Sequence, residues 1–230
     1  MAVSVSDVVV VVLGVLLNIV VLFFLVAAVV LRLKARRELV QLQLRLASLG
    51  LTTIDRAGEG PIAVEGQARG LELLSAPFSG TRVIAFRVRL QAVEDYGEHR
   101  VWCDLLEATG AEDFEVDDGT GRALVRAEAT LLLLAQETRG WQRADHGPAR
   151  EAAQRLLQAQ GRSVPERLRF VEHLLEPGEP VFVVGGARRQ AAESVPALVI
   201  EGPEPGEPVL IADRRQKDLA RRLKRGEVPS

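Results

Sequence analysis

The sequence predicts a mainly β domain, a small barrel or sandwich with one inserted helix and a C-terminal helix, preceded by a single transmembrane helix. Three observations lead there. Residues 8–31 form an uncharged apolar run, and residues 51–213 break into short alternating segments separated by Gly, Pro and Asp-Gly. Only one internal stretch, 148–160, has the composition of a helix.

The apolar run, VVVVVLGVLLNIVVLFFLVAAVVL, covers 24 positions, and Asn18 is its one strongly polar side chain. A helix rises about 1.5 Å per residue, so the run outspans a hydrocarbon core of about 30 Å and crosses it with some tilt. A cleavable signal peptide needs a basic leader and an apolar stretch of only about 7–15 residues, and the run meets neither condition. A buried soluble helix seldom stays apolar on every face for this length. The Asn18 amide bonds either a partner helix or its own backbone, since a lone amide is costly in lipid.

Arg32, Lys34, Arg36 and Arg37 crowd the C-terminal flank, while Asp7 and the α-amino group stand at the other end. The positive-inside rule then puts the N-terminus outside and residues 32–230 in the cytoplasm of a single-pass cell-membrane protein. Cys103 is the sole cysteine, which excludes an intrachain disulfide and fits a reducing compartment. The basic residues are nearly all arginine, with Lys34, Lys217 and Lys224 the only lysines, a bias associated with GC-rich bacterial genomes.

The formal charge of −2 conceals a division along the chain. Residues 50–213 hold 27 acidic and 17 basic side chains, a net −10, and the compensating positive charge lies in the two flanks. So acidic a body is repelled by nucleic acid, whose protein affinity rests largely on neutralised phosphates.

After the apolar run, ELVQLQLRLASLG fits both a helical stripe (Leu39, Leu42, Leu46, Leu49) and a strand alternation (Val40, Leu42, Leu44, Leu46); continuation of the preceding helix favours a juxtamembrane helix over 32–50. IAVEGQARGLELL and TRVIAFRVRLQAVE then read as strands. In the second, Val83, Ala85, Arg87 and Arg89 alternate with Ile84, Phe86, Val88 and Leu90, the mark of a half-buried strand. RVWCDLLEA follows, and DFEVDDGTGRALVRAEATLLLLAQ carries a hairpin signal at Asp118-Gly119. PAREAAQRLLQAQ is the helical insertion, with Pro148 at its start and Gly161 at its end. Two strand-turn-strand units close the body, with turns at Pro177-Gly178 and Pro205-Gly206, and RRQKDLARRLKR forms the basic helix of the C-terminal segment 214–230.

No catalytic, cofactor-binding or metal residue is assigned. His99, His146 and His173 are scattered and Cys103 stands alone, so ligand spacing for zinc is missing. Asp113 to Gly119 resembles the start of a calcium loop, but its twelfth position is Leu124 where a bidentate Glu is required, so a turn is the better reading. G-x-S-x-G and phosphate-loop patterns are absent, Gly119 and Gly121 lack a third glycine at 124, and Ser79 reads as a turn residue. Trp102, Trp141, Phe86, Phe114, Phe170 and Phe182 are read as core residues rather than stacking platforms for nucleic acid. The basic residues Arg214, Arg215, Lys217, Arg221, Arg222, Lys224 and Arg225 belong to a helix that is either solvated or laid on anionic headgroups.

The order of segments resembles a known family. IAVEG, a Ser-Ala-Pro-Phe-Ser-Gly step at 75–80 into TRVIAFRV, then Trp102, DFEVDDGTGRALV, RFVEHLLEPGEPVFVVGGA and a final VLIADRRQKDLARRL are similar to the GIDE, or "beside a membrane", domain. That domain belongs to the Mulan type of mitochondrial ubiquitin ligase and occurs also in bacterial membrane proteins. The likeness covers about residues 55–225. Ligases of that type carry two membrane helices and a RING finger whose eight Cys and His ligands bind two zinc ions; this sequence has one such helix and no cysteine after Cys103. The resemblance therefore implies a barrel-like interaction module at a membrane, with no catalytic residue to carry over. The expected function is a membrane-anchored, non-enzymatic scaffold whose partners are the lipid bilayer and membrane or cytoplasmic proteins, a second copy of itself included, without nucleic acid or cofactor. The alternative from the family name is an E3 ubiquitin-ligase-like transferase, opposed by the missing ligands, and a third reading is a hydrolase using His99 or His173.

Overall fold

The computed structural model describes residues 50–96, 99–134, 140–190, 198–204 and 207–213. The expected membrane helix at 8–31, the juxtamembrane helix at 32–50 apart from Gly50, and the basic segment at 214–230 lie outside the described residues. Among those described, no helix is long and apolar enough to cross a membrane.

The elements run β1 (Gly60–Gly70), β2 (Leu74–Ser75), β3 (Arg82–Val83), β4 (Ala85–Tyr96), β5 (His99–Ala111), β6 (Phe114–Asp117), β7 (Arg122–Val125), β8 (Thr130–Leu133), β9 (Gln142–Arg143), α1 (Gly147–Ala159), β10 (Leu168–Leu175), β11 (Pro180–Arg189), β12 (Leu198–Glu201) and β13 (Val209–Ala212). Five of the strands close a barrel in the order β1-β6-β7-β12-β11 and back to β1. The closing ladder is antiparallel and runs from Gly60 opposite Ala187 to Gln67 opposite Pro180, while the last residues of β1 pair with β6. Asp118-Gly119 makes the expected hairpin of β6 and β7, with Gly119 at φ 83° in the left-handed region that a glycine enters freely.

Period-two patterning fills the barrel. Ile62, Val64 and Ala68 of β1, Val181, Val183 and Ala187 of β11, Phe114 and Val116 of β6, Ala123 and Val125 of β7, and Leu198 and Ile200 of β12 form one buried cluster. The unit around Pro205-Gly206 differs from a simple strand pair. β12 and β13 lie one after the other along the same edge of β11, both antiparallel to it, and do not pair with each other. β12 pairs in parallel with β7, and β13 in parallel with β8.

The chain leaves the barrel twice. β4 and β5 form one excursion, and β9, α1 and β10 the other; together they build a four-stranded sheet in the order β5-β4-β10-β9. The inserted helix expected at 148–160 is thus α1, and the insertion is larger than the helix alone. Its C-terminus is a Schellman motif, with Gly161 at φ 67° and its N–H bonded to Gln158, and the Arg162 N–H bonded to Leu157. Ala153 and Leu157 of α1 pack on Leu90, Leu106, Leu168 and Phe170 of the sheet. The turn at Pro177-Gly178 is also real, but its two strands belong to different sheets. Its Gly178 N–H bonds Ala68, and Ala68 N–H bonds Glu179, so the turn is held by β1.

The expected single strand from Thr81 to Glu94 is divided at Ile84, whose N–H bonds Leu175 and whose carbonyl accepts from Glu112. Nor is it half-buried. Val88, Leu90 and Ala92 are buried, and so are Arg87 and Gln91 on the opposite face.

Small side chains let the barrel strands approach. A Cβ on Gly185 would run into the Glu201 carbonyl oxygen and lie 2.7 Å from Ile200 Cγ2, whereas one on Gly58 would meet nothing within 4 Å. Gly185→Ala is expected to lower stability by about 1–3 kcal/mol through overpacking, and Gly58→Ala to leave it within about 0.5 kcal/mol. Denaturant midpoints of the full chain in detergent check both.

Candidate interaction surface

The face of the four-stranded sheet turned away from α1 is built by alternation. In β4, Leu90 and Ala92 face the helix, which sends Arg87, Arg89 and Gln91 to the other side. β5 meets them with two carboxylates because of a bulge. Leu106 opposes Leu90 and Asp104 opposes Gln91, so the extra residue Leu105 shifts the alternation and brings Asp104 and Glu107, three positions apart, to the same face.

The resulting network is continuous. Arg87, 4% exposed, bonds Glu107 in bidentate fashion, Nε to Oε1 at 2.8 Å and Nη2 to Oε2 at 3.1 Å. Arg89 Nη2 reaches Asp104 Oδ2 at 3.1 Å, and Gln91 Nε2 donates to Asp104 Oδ1 at 2.7 Å. The Gln91 hydrogen bond, with the nearby Arg89 charge, holds the Asp104 carboxyl below its usual range against the upward push of partial burial. Gln91 Oε1 in turn accepts from Arg169 Nε of β10 at 2.8 Å.

The Arg169 guanidinium then lies against both tryptophans, 4.5 Å from the Trp102 ring centre and 4.6 Å from that of Trp141. Arg143 of β9 lies 5.5 Å from Trp102, and Arg89 lies 5.9 Å from Trp141. Three arginines and two indoles from four strands and the segment before β9 thus stack by cation–π contact, each pair worth about 0.5–2 kcal/mol according to desolvation. Trp141 remains 37% exposed.

This arrangement corrects the core reading of the aromatic residues. Phe114, Phe170 and Phe182 are buried as expected, but Trp102 and Trp141 sit in a polar network on an outer face. The sequence holds a partial sign of this for Trp102 alone, which Arg100 and Asp104 flank at the i±2 positions that share its face.

The other residues singled out in the sequence lie apart from this face or outside its network. Asp118 accepts hydrogen bonds from the N–H groups of Ile54 at 2.8 Å, Thr120 at 2.8 Å and Gly121 at 3.1 Å, tying the short 3-10 turn at 54–56 to the β6–β7 hairpin. Asp113 accepts from Arg126 and the Ala127 N–H, and Asp117 from the Gly119 N–H. Asp117 and Asp118 thus hold the turn, and Asp113 closes the other end of the hairpin. Ser79 stands in the turn before β3, where buried Glu172 accepts from the Phe78 and Ser79 N–H groups at 2.7 and 3.1 Å. His173 is buried in β10, His99 opens β5, His146 precedes α1, and Cys103 is half-buried on β5. Among the described residues, no three His, Cys, Asp or Glu side chains gather as metal ligands.

Trp102 and Trp141 are the only tryptophans, so intrinsic fluorescence reports this cluster alone. Arg169→Lys is expected to cost about 1–2 kcal/mol and alter the emission, because an ammonium cannot reproduce a planar guanidinium lying against two rings; equilibrium unfolding followed by fluorescence reads both effects.

Burial pushes the Asp118 carboxyl up, but the Ile54, Thr120 and Gly121 hydrogen bonds outweigh it and leave the group below its ordinary value. A depressed folded-state value means stabilisation that is complete above the unfolded pKa of about 3.9 and is lost as pH falls through the folded one. Asp118→Asn is expected to lower stability at neutral pH by about 1–3 kcal/mol and to flatten the acid limb of the stability curve below about pH 4, measured by denaturation at a series of pH values.

One family model, GIDE, described as E3 ubiquitin ligase, matches residues 91–227, from within β4 through the last barrel strands and beyond. No match to the chain is found among curated proteins or among solved structures. The matched span exceeds half of the sequence and contains most of the barrel, the inserted helix and both tryptophans of the polar face, and on that footing the chain belongs to the GIDE family.

Proposed function

We propose that this protein is a membrane-anchored, non-enzymatic interaction module that holds a GIDE barrel at the cytoplasmic membrane surface for binding other proteins. The observation that carries the reading is the arginine–tryptophan face, because exposed aromatic and arginine side chains on a rigid sheet are the groups most often used to anchor protein partners. The uncharged run at 8–31 with its basic flank supports an anchor, and the net −10 of residues 50–213 argues for protein rather than nucleic-acid partners. Confinement to a membrane layer raises the effective concentration toward partners held in the same layer.

A second reading, ubiquitin transfer, is favoured by the family description. A RING finger would need eight Cys and His ligands for two zinc ions, and the one cysteine and three histidines of these 230 residues fall short of that number. The donor set does not fit the metal, and no step through zinc is assigned.

Two measurements separate the readings. After detergent-free lysis the full chain is expected in the membrane pellet and to resist alkaline extraction; recovery in the supernatant overturns the anchor. Purified protein supplied with activating and conjugating enzymes is expected to form no ubiquitin conjugates, and self-conjugation would establish the ligase reading instead.

A further inference from the structure

Arg143 and Arg169 stand directly opposite one another in the ladder of β9 and β10, and both guanidinium groups lie against Trp102. Like charges directly opposed on neighbouring strands are destabilising. Each arginine is held through its Nε: that of Arg169 donates to Gln91 Oε1, and that of Arg143 to Asp145 Oδ2 at 2.9 Å. Both acceptors are fixed in turn, since Gln91 Nε2 donates to Asp104 and Asp145 Oδ1 accepts from the Leu168 N–H. The terminal amino groups of the two arginines make no hydrogen bond among the described residues. Two oriented forks with spare donors are thus held side by side on one indole, against their mutual repulsion.

We propose that this pair of forks receives the carboxylates of an acidic segment of a partner protein, with the exposed part of the Trp141 ring taking an apolar side chain beside them. The proposal deepens the interaction-module reading by giving the partner's chemistry, and it rests on that reading. A planar fork donates two parallel hydrogen bonds to a carboxylate, which an ammonium cannot do. The Arg143 side chain is 53% exposed, so a ligand reaches its amino groups from solvent. Trp141 adds apolar area at the same place.

Charge selects a short acidic segment over larger anionic surfaces. Around the two indoles, three arginines, Arg89, Arg143 and Arg169, meet two carboxylates, Asp104 and Asp145, which leaves the cluster cationic. The body as a whole is acidic, at −10 over residues 50–213. An anionic bilayer or a nucleic acid extends past the cluster and meets that surplus, which acts out to a screening length of about 8 Å. A segment of a few residues meets chiefly the arginines.

Because the chain has no tryptophan besides Trp102 and Trp141, their emission reports binding at this face even though the basic flanks also attract anions. The full chain in nanodiscs of neutral phosphatidylcholine is titrated with hexaglutamate, hexaglutamine and hexalysine. Hexaglutamate is expected to change the emission saturably, at concentrations several-fold below those at which hexaglutamine acts, and hexalysine to leave it unchanged; this comparison needs no variant to fold. Arg143→Gln is expected to weaken the hexaglutamate response several-fold, and Arg143→Lys, which keeps the charge and loses the fork, to weaken it too. Arg188→Gln, which removes the same charge from a 69% exposed side chain on β11, is expected to leave it unaltered. Equal weakening by Arg143→Gln and Arg188→Gln overturns the proposal, as does the lack of a saturable response below about 10 mM hexaglutamate. An Arg143-dependent response to inorganic phosphate or to phosphatidylglycerol vesicles that exceeds the response to hexaglutamate overturns it as well, by giving the forks to a phosphate. A response to hexalysine or hexaglutamine in place of hexaglutamate sinks the acidic partner and keeps the interaction face. Hexaglutamate binding by a chain recovered in the detergent-free supernatant sinks only the anchor.

Discussion

Closure of β1 against β11 is the constraint on which the molecule depends. A five-stranded ring has no free edge only if its first and last members meet, and here eight residue pairs from Gly60 to Gln67 make that seam. Because β1 spends its first half on β11 and its last residues on β6, it must be long, and it is the longest strand of the barrel. The same demand explains the small residues at the seam. Gly66 and Gly185 stand where a Cβ would strike the backbone of Asp117 and Glu201, so the ring tightens only because nothing projects there.

With the ring complete, the two excursions gain a rigid base. The four-stranded sheet is continuous with the barrel through Ile84 and Leu175, which lie in the barrel cluster although their neighbours run out into the second sheet. Buried Glu172 fixes the turn at Phe78 and Ser79 beneath that sheet, and Phe78 stacks on Phe170 at 3.9 Å between ring centres. α1 covers one side. The opposite side is satisfied by polar pairing, and the bulge at Leu105 serves this by delivering Asp104 and Glu107 to the arginines of β4. A polar sheet face held by charge pairs and indoles resists collapse onto other surfaces while still offering aromatic area to a chosen one.

What the sequence discloses and what it withholds follow from the range of each signal. Alternation in β1, β6, β7 and β11 is local and strong, so these strands and the Asp118-Gly119 hairpin are legible. Pro148 and Gly161 bracket α1 for the same reason. Partner choice is not local. The Pro177-Gly178 turn reverses the chain but hands it from one sheet to another, and Pro205-Gly206 separates two strands that share a neighbour instead of each other. The bulge leaves no mark because one additional residue in a strand has no composition of its own. Trp102 and Trp141 read as core residues for a related reason: hydrophobicity ranks an indole with the core, whereas its outward position depends on arginines that arrive from β4, β9 and β10.

The seam has a kinetic side as well. β1 ends at Gly70 and its partner β11 begins at Pro180, so more than a hundred residues must be synthesised before the ring has its last member. Contacts so distant in sequence are slow to form because the intervening chain loses its freedom before any reward is collected. Until then the apolar strands of β1, β6 and β7 have only one another. During translation the emerging polypeptide therefore passes through a prolonged stage with open β edges, in which an early stop before residue 180 would leave a product prone to aggregate rather than a smaller working domain.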